Sequence, residues 1–522
     1  MDAQANITQS EPAPDGQEPE TAASRHVRIN PARVLLSSGL GVLITFSLLR
    51  FISGVVTFIR FQGAGFDFSS YYAAALALRS NPHADIFNIH VLEAATAAHH
   101  IPFGGVTYLY PPFLAVIIIP LTLLPFRSAL QLWIIGNGLL WVGCGLMLAR
   151  WSWQALMTGA SRAATLRDAP ARLAAGFALT LVLFLTAIYL PFGENLGLGQ
   201  VSGAILFLVL LAWLLLEHGH ARVAGVVLAL AIWIKLLPAL LVVYLLLQRR
   251  WRVVIWATSA CLLIGLGMVP IIGIQGVLAT RFVLTNGGHM ANMAHNMALA
   301  RVPLWLTYAL GGTPGRAAAL AGYGLIALVA ILFILGIRHE QRQPILPDAM
   351  RAEHDTLGYF WALATMVVIS PLTWEHHDVW LLPALFISFF TALPHAARGL
   401  RDERGHIHPE IVLAFCAALG YALTMGNMPF GYDGASHFVL GPYAGSIALR
   451  PYFMLLRPAG AVLAWAASGA LYLWPRRVSP ATASAEGERL LRPQILAMAM
   501  IAFLVIAMVV QGSISQIQAA FS

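Results

Sequence analysis

Apolar runs of about 20 residues, the length a helix needs to cross a bilayer, recur along this chain from residue 33 to residue 511. A water-soluble fold has no place to hide so many apolar stretches. Of the 522 residues, 59% are hydrophobic and 10% are charged, whereas soluble domains carry about 25% charged residues. A soluble enzyme is excluded, and the expected fold is all-α, a polytopic bundle of transmembrane helices.

Spans fall at 34–59 and near 109–125, 128–149, 172–191, 201–217, 222–248, 253–272, 316–337, 356–372, 379–393, 410–426, 450–474 and 494–511, so 12–14 membrane segments are expected. Residues 1–32 begin with an acidic, proline-containing stretch that cannot bury enough apolar surface to fold, and a disordered tail is expected there. Arg25, Arg28 and Arg33 precede the first span. Basic residues stay on the cytoplasmic side, which places the amino terminus inside and the segment after Arg60 outside. The first span is too long for a cleavable signal-peptide core.

Simple alternation then puts Arg249, Arg250, Arg252, Arg338, Arg342, Arg398, Arg404, Arg476 and Arg477 inside, in accord with the charge rule, but leaves Arg150, Arg162, Arg167 and Arg172 outside. A second topology removes the conflict by making the proline-rich 109–125 stretch re-entrant and splitting 222–248 at Lys235. Broken backbone at membrane depth is tolerated where it lines a cavity, so this topology itself implies a site.

The net charge of +8 suggests no nucleic acid, because the arginines sit in short clusters between spans and not on one polar face. Cys144, Cys261 and Cys416 lie inside apolar runs without paired or CxxC spacing, so neither a disulfide framework nor a zinc site is indicated.

Polar residues in such a chain are conspicuous by their cost. The segment from 60 to 108 is too long for a turn; it contains Asp67, Tyr71 and Tyr72, and two of its stretches, 69–79 and 84–100, are patterned as amphipathic interfacial helices. Asp67 precedes the first, where a carboxylate serves equally as a helix cap or as a cavity-facing group. Trp374-Glu375-His376-His377-Asp378 places four ionisable groups in a row at the end of a span. Groups at that depth usually face a bundle interior or a wet cavity. Residues adjacent on a helix diverge by about 100°, so His376, His377 and Asp378 are poorly placed to share a metal ion, and no metal site is expected.

Lys235 is the single lysine among 31 basic residues and lies mid-run, at Ile234-Lys235-Leu236-Leu237-Pro238. An ammonium there suits a phosphate partner, or else a carbonyl freed by Pro238. Weaker signals are Tyr108 to Pro112, Glu194 to Gln200, the 287–296 run and Gly431 to Gly434, each also readable as an interfacial loop or turn.

Taken in order, Asp67 with Tyr71-Tyr72, then Tyr110-Pro111-Pro112, Gly199-Gln200, Lys235-x-x-Pro238 and Ser370-Pro371-x-x-Trp374-x-His376-His377 resemble glycosyltransferase family 87, a GT-C family of integral membrane enzymes. The resemblance covers roughly residues 33–400 and departs after Lys235, where the family often has proline at once and this chain has Leu236-Leu237 before Pro238. It implies a GT-C-like transmembrane catalytic module over 33–400, including the external loop 60–108, with further transmembrane helices over 401–522.

The resemblance further implies a bacterial plasma-membrane enzyme with an extracytoplasmic active site. Its donor is a polyprenyl-phosphate sugar, mannose by family precedent, and its acceptor a glycolipid or glycan. Asp67 matches the family's loop carboxylate and is the expected base of an inverting transfer, while Lys235, His376 and His377 are expected to steady the departing lipid phosphate. Tyr71, Tyr72, Tyr110 and Trp374 are expected to stack on sugars or order the loop, interface anchoring being the alternative. Gln200 and Glu375 are expected to bond sugar hydroxyls. No cofactor is called for, and no glycine-rich loop or soluble segment could hold a nucleotide. The rival class is a lipid or lipid-linked sugar flippase, in which Lys235 and the 375–378 cluster bind an anionic cargo.

Overall fold

The computed structural model describes residues 31–60, 65–99, 101, 107–156, 169–283, 296–343, 346, 348–396, 407, 409–425 and 450–473. Every regular element among them is a helix. In chain order the α-helices are α1 (Pro31–Arg60), α2 (Phe66–Ser80), α3 (Ile89–Ala97), α4 (Pro112–Ile118), α5 (Phe126–Leu156), α6 (Ala169–Ala187), α7 (Leu190–Leu198), α8 (Ser202–Glu217) and α9 (Ala221–Ile234). They continue with α10 (Ala239–Leu247), α11 (Trp251–Leu278), α12 (Val302–Ala309), α13 (Arg316–Glu340), α14 (Asp348–Val368), α15 (Leu382–Ala396), α16 (Pro409–Thr424) and α17 (Arg450–Leu473). Tight 3₁₀ turns occupy Ile119–Leu123, Leu299–Arg301 and Glu375–Leu381.

Among the described residues, four helices are long and apolar enough to cross a bilayer: Phe126–Ala155, Trp251–Leu278, Arg316–Glu340 and Met454–Leu473. A fifth arises if α6 and α7, bent by 42°, form one broken span. The chain is therefore a multi-pass membrane protein. Several of the 12–14 expected spans are shorter helices, Pro112–Leu123, Ser202–Glu217, Ala221–Ile234 and Pro409–Thr424 among them. Apolar composition does not register the breaks that end these helices. At 1.5 Å per residue the 112–123 segment reaches only about 18 Å, well short of a ~30 Å hydrocarbon core. The 494–511 span, the 1–30 tail and Gly431 to Gly434 lie outside the described residues.

Lipid-facing surfaces are recognisable by exposed apolar side chains, such as Leu262, Leu263 and Leu266 on α11 and Leu320, Leu328 and Ile331 on α13. The core lies beneath α8, α14 and α15, with Trp361, Trp380, Tyr359 and Phe386 fully enclosed. Helices α16 and α17 cross closely: a Cβ on Gly420 would stand 3.1 Å from the Gly460 carbonyl oxygen, and one on Gly460 2.9 Å from that of Gly420. Small residues let membrane helices approach in this way, and the crossing presses the Arg457 end of α17 into the bundle.

Three local features position the site. Helix α2, expected as an interfacial helix, is buried at every residue from Asp67 to Leu78, because α4, the 119–123 turn and α7 pack against it. Helix α9 stops at Lys235, which is extended (φ −153°, ψ 132°), and α10 restarts after Pro238. The Ser370–Trp374 loop is pinned by Asn296, whose Nδ2 donates to the Pro371 carbonyl (2.8 Å) and whose Oδ1 accepts from Thr373 N (3.0 Å).

Candidate active site

Two glycine backbones bring Asp67 to Gln200. Gly65, in the left-handed region at φ 88°, opens α2 and donates its N–H to the Gly197 carbonyl (2.8 Å). Gly199 closes α7 at φ 70°, and a Cβ there would lie 2.7 Å from Phe68 Cβ and 3.4 Å from Gly65 Cα. Only glycine meets both the conformation and the close approach.

Gln200 Nε2 donates to Asp67 Oδ2 at 2.7 Å. Its Oε1 accepts from Tyr71 OH (3.0 Å) and Tyr110 OH (2.9 Å) and, more loosely, from Val201 N (3.3 Å). Two hydroxyl donors on one oxygen fix which way the carboxamide points. Asp67 is only 6% exposed, and burial pushes its carboxyl up to about 6, against the opposing pull of the Gln200 bond and the Lys235 charge. A carboxylate of that basicity suits general-base work near neutrality.

Tyr71 and Tyr110 meet edge to face at 4.8 Å, and Tyr71 is wholly enclosed. Its ring is not available to stack on a sugar; its hydroxyl orients Gln200. Tyr72, its neighbour in sequence, points elsewhere, donating to the Leu124 carbonyl (2.6 Å) and packing on Phe126. It is not brought to this junction.

Lys235 links Tyr110 to the histidine turn. Nζ stands 5.3 Å from the Tyr110 ring centre, 5.5 Å from that of Trp380, and 2.5 Å from His377 Nε2. His377 stacks on Trp380 at 4.9 Å, and Trp380 Nε1 donates to the Ser202 carbonyl. His377 Nδ1 accepts from Trp374 N (3.1 Å), so the neutral ring carries its proton on Nε2. Burial first, and the nearby Lys235 charge second, hold both His376 and His377 well below the usual histidine range. His376 Nδ1 and Trp374 Nε1 are buried with no hydrogen-bond partner among the described residues. Such groups seldom stay unpartnered.

Beside this turn lies a charged cluster in which sequence reasoning missed the arginine. Arg457 of α17, 2% exposed, reaches Glu194 of α7 through two contacts (3.0 and 3.3 Å) and Asp378 through one (3.3 Å). Glu375 is close enough to feel its charge. The available signal was Arg457 itself, an arginine one third of the way into the apolar 450–474 run, the same kind of signal that drew attention to Lys235. Glu194 stood among the weaker sequence signals and here faces Arg457. Among the described residues no three His, Cys, Asp or Glu side chains are grouped to hold a metal, and the cysteines are free.

Comparison with known proteins finds relatives of this chain. The chain is 27% identical over 303 residues to a Mycobacterium tuberculosis protein named polyprenol-phosphate-mannose-dependent alpha-(1-2)-phosphatidylinositol mannoside mannosyltransferase, covering 55% of this chain and 63% of that relative. It is 26% identical over 316 residues to a Mycolicibacterium smegmatis polyprenol-phosphate-mannose-dependent alpha-(1-2)-phosphatidylinositol pentamannoside mannosyltransferase, covering 58% of this chain and 66% of the relative. The chain thus spans slightly under two thirds of the length of these two relatives. No solved structure matches it. The family model for glycosyltransferase family 87 matches residues 108–371, half of the chain, which takes in Tyr110, Gln200 and Lys235 and leaves Asp67, His377 and Arg457 outside its bounds. The chain belongs to glycosyltransferase family 87.

Proposed function

We propose that the protein is a membrane glycosyltransferase that moves a hexose, mannose by likeness to its relatives, from a polyprenyl-phosphate donor to an acceptor hydroxyl. The observation that carries this reading is the buried Asp67 carboxylate. It is held on one oxygen by Gln200, and among the described residues its other oxygen has no hydrogen bond.

Asp67 Oδ1 takes the acceptor hydroxyl proton as that oxygen attacks the anomeric carbon. The bond from that carbon to the phosphate oxygen breaks on the opposite face, its electron pair leaves with the polyprenyl phosphate, and the configuration inverts. A phosphate anion needs charge stabilisation rather than protonation, and Lys235 supplies it. The anion draws Nζ away from His377, leaving the His377 Nε2–H as a second donor. His376 Nδ1, Trp374 Nε1 and the partly exposed Glu375 offer hydrogen bonds to sugar hydroxyls.

The reaction takes place in the extracytoplasmic leaflet of a bacterial plasma membrane, with the amino terminus inside, a reading supported by Arg25, Arg28 and Arg33 before the first span. The catalytic module is residues 33–400, completed by Arg457 from the helices that follow. The interlocked Gln200 junction favours a fixed catalytic geometry over the flippase reading, since alternating access would have to break it.

The test is transfer of radiolabelled mannose from polyprenyl-phosphate-mannose to phosphatidylinositol mannosides by the purified protein in nanodiscs. Labelled product of inverted anomeric configuration is expected. Movement of donor between leaflets without product would replace the transferase with the flippase.

A further inference from the structure

A cleft of about 850 Å³ lies between the 83–88 loop, which follows α2, and the end of α11. The family match and the reaction above leave it unassigned. Its walls divide by chemistry. His83, Asp85, Asn88 and Gln275 give hydrogen-bonding groups, whereas Ile272, Phe87 and Phe282 give an apolar floor. Gly273 shapes it: the residue breaks α11 at φ 71°, ψ 163°, and a Cβ there would meet His83 Nδ1 at 3.2 Å.

The polar groups keep spare capacity. Among the described residues the Asp85 carboxylate accepts only from Phe87 N (3.2 Å) and the Asn88 side-chain oxygen only from His90 N (3.0 Å), and the exposed Gln275 carboxamide has no protein partner.

The outer side of the same helix end is apolar and uncovered, with Ile271, Ile274 and Leu278 exposed by 41, 52 and 53%. These belong to a helix fit to span the bilayer, so the cleft opens beside lipid. On its inner side, Phe87 meets Tyr108 (5.9 Å), Tyr108 meets Tyr110 (6.0 Å), and Tyr110 bonds the Gln200 that holds Asp67. Leu78 in the wall and Asp67 share α2, about 16 Å apart along its axis at 1.5 Å per residue.

We infer that this cleft binds the acceptor and that the acceptor is a glycolipid, its chains lying beside α11, its sugars bonded by His83, Asp85, Asn88 and Gln275, and its free end reaching Asp67. The inference rests on the transferase reading above. A polyprenyl chain is the poorer occupant, having no hydroxyls for four hydrogen-bonding side chains. The volume falls in the range of small-molecule sites, about 300–1,000 Å³.

The test measures binding, so it does not depend on turnover. Radiolabelled dodecyl α-mannoside is titrated onto the full-length protein in nanodiscs, with a chain-matched polyoxyethylene ether to remove uptake by the lipid. Saturable binding is expected in the wild type and in Asp67→Asn. It should weaken at least tenfold in Gln275→Ala and in the cleft-filling Ala279→Trp, with polyprenyl-phosphate binding unchanged. Equal mannoside binding in all four proteins, or loss of polyprenyl-phosphate binding in the cleft variants, would overturn the assignment. Intact mannoside binding together with no sugar transfer under any condition would count against the transferase and leave the cleft as a glycolipid site.

Discussion

Asp67 and Asp378 are both buried aspartates, yet they are held in opposite ways. Asp67 has a neutral amide as its hydrogen-bond partner and one free oxygen. Asp378 faces the Arg457 guanidinium, which it shares with Glu194. Burial raises both carboxyls, Asp67 to about 6 and Asp378 to about 7, so contact separates them: Asp67 keeps an oxygen for an acceptor hydroxyl, whereas the Arg457 guanidinium fixes Asp378 in place. The first arrangement can take a proton in a reaction; the second holds α7, α17 and the histidine turn together.

The widest gap between the two regions should appear in activity. Asp67→Asn keeps the shape and removes the base, so transfer should fall by about 10²–10⁴-fold while thermal unfolding stays unchanged. Arg457→Met should do the reverse first. It strands the buried Asp378 and the half-buried Glu194, at a cost of about 3–5 kcal/mol, read as a lower unfolding temperature in detergent, and activity should fall with the folded fraction. Should Asp67→Asn destabilise the protein as much as Arg457→Met, the contrast between the regions fails.

The pH profile sharpens the comparison. A general base must be unprotonated, and with the Asp67 carboxyl at about 6 the rate should rise with pH through that value and then level off. Gln200→Ala removes a hydrogen bond that favours the carboxylate, so the rising limb should move to higher pH. A limb that stays in place would detach Gln200 from Asp67. The smallest effect belongs to Tyr72→Phe, which loses one bond to the Leu124 carbonyl. It should cost about 1 kcal/mol of stability and leave transfer rates alone.

Much of the site was legible because polar groups are expensive inside a membrane. Asp67, Gln200, Lys235 and His377 stood out against apolar surroundings, and the fold joins them through Tyr110. Arg457 was hidden by the same composition that exposed Lys235: in an arginine-rich chain a further arginine reads as a topology signal, and its partner Glu194 lies 263 residues away. Tyr71 and Tyr72 could not be told apart by adjacency. On a helix neighbours diverge by about 100°, which sends one hydroxyl to Gln200 and the other to Leu124.

The helical bundle followed from the apolar runs. The number of full-length spans did not, because hydropathy is insensitive to the break after Ile234 and to the short helix beginning at Pro112.

The most direct test of the role given to Asp67 is a single-turnover experiment with Asp67→Asn and wild type, each preloaded with radiolabelled polyprenyl-phosphate-mannose and mixed with acceptor lipid. The expected result is equal donor binding in the two proteins and transfer lost only in the variant. Transfer at the wild-type rate by Asp67→Asn would contradict its role as the base.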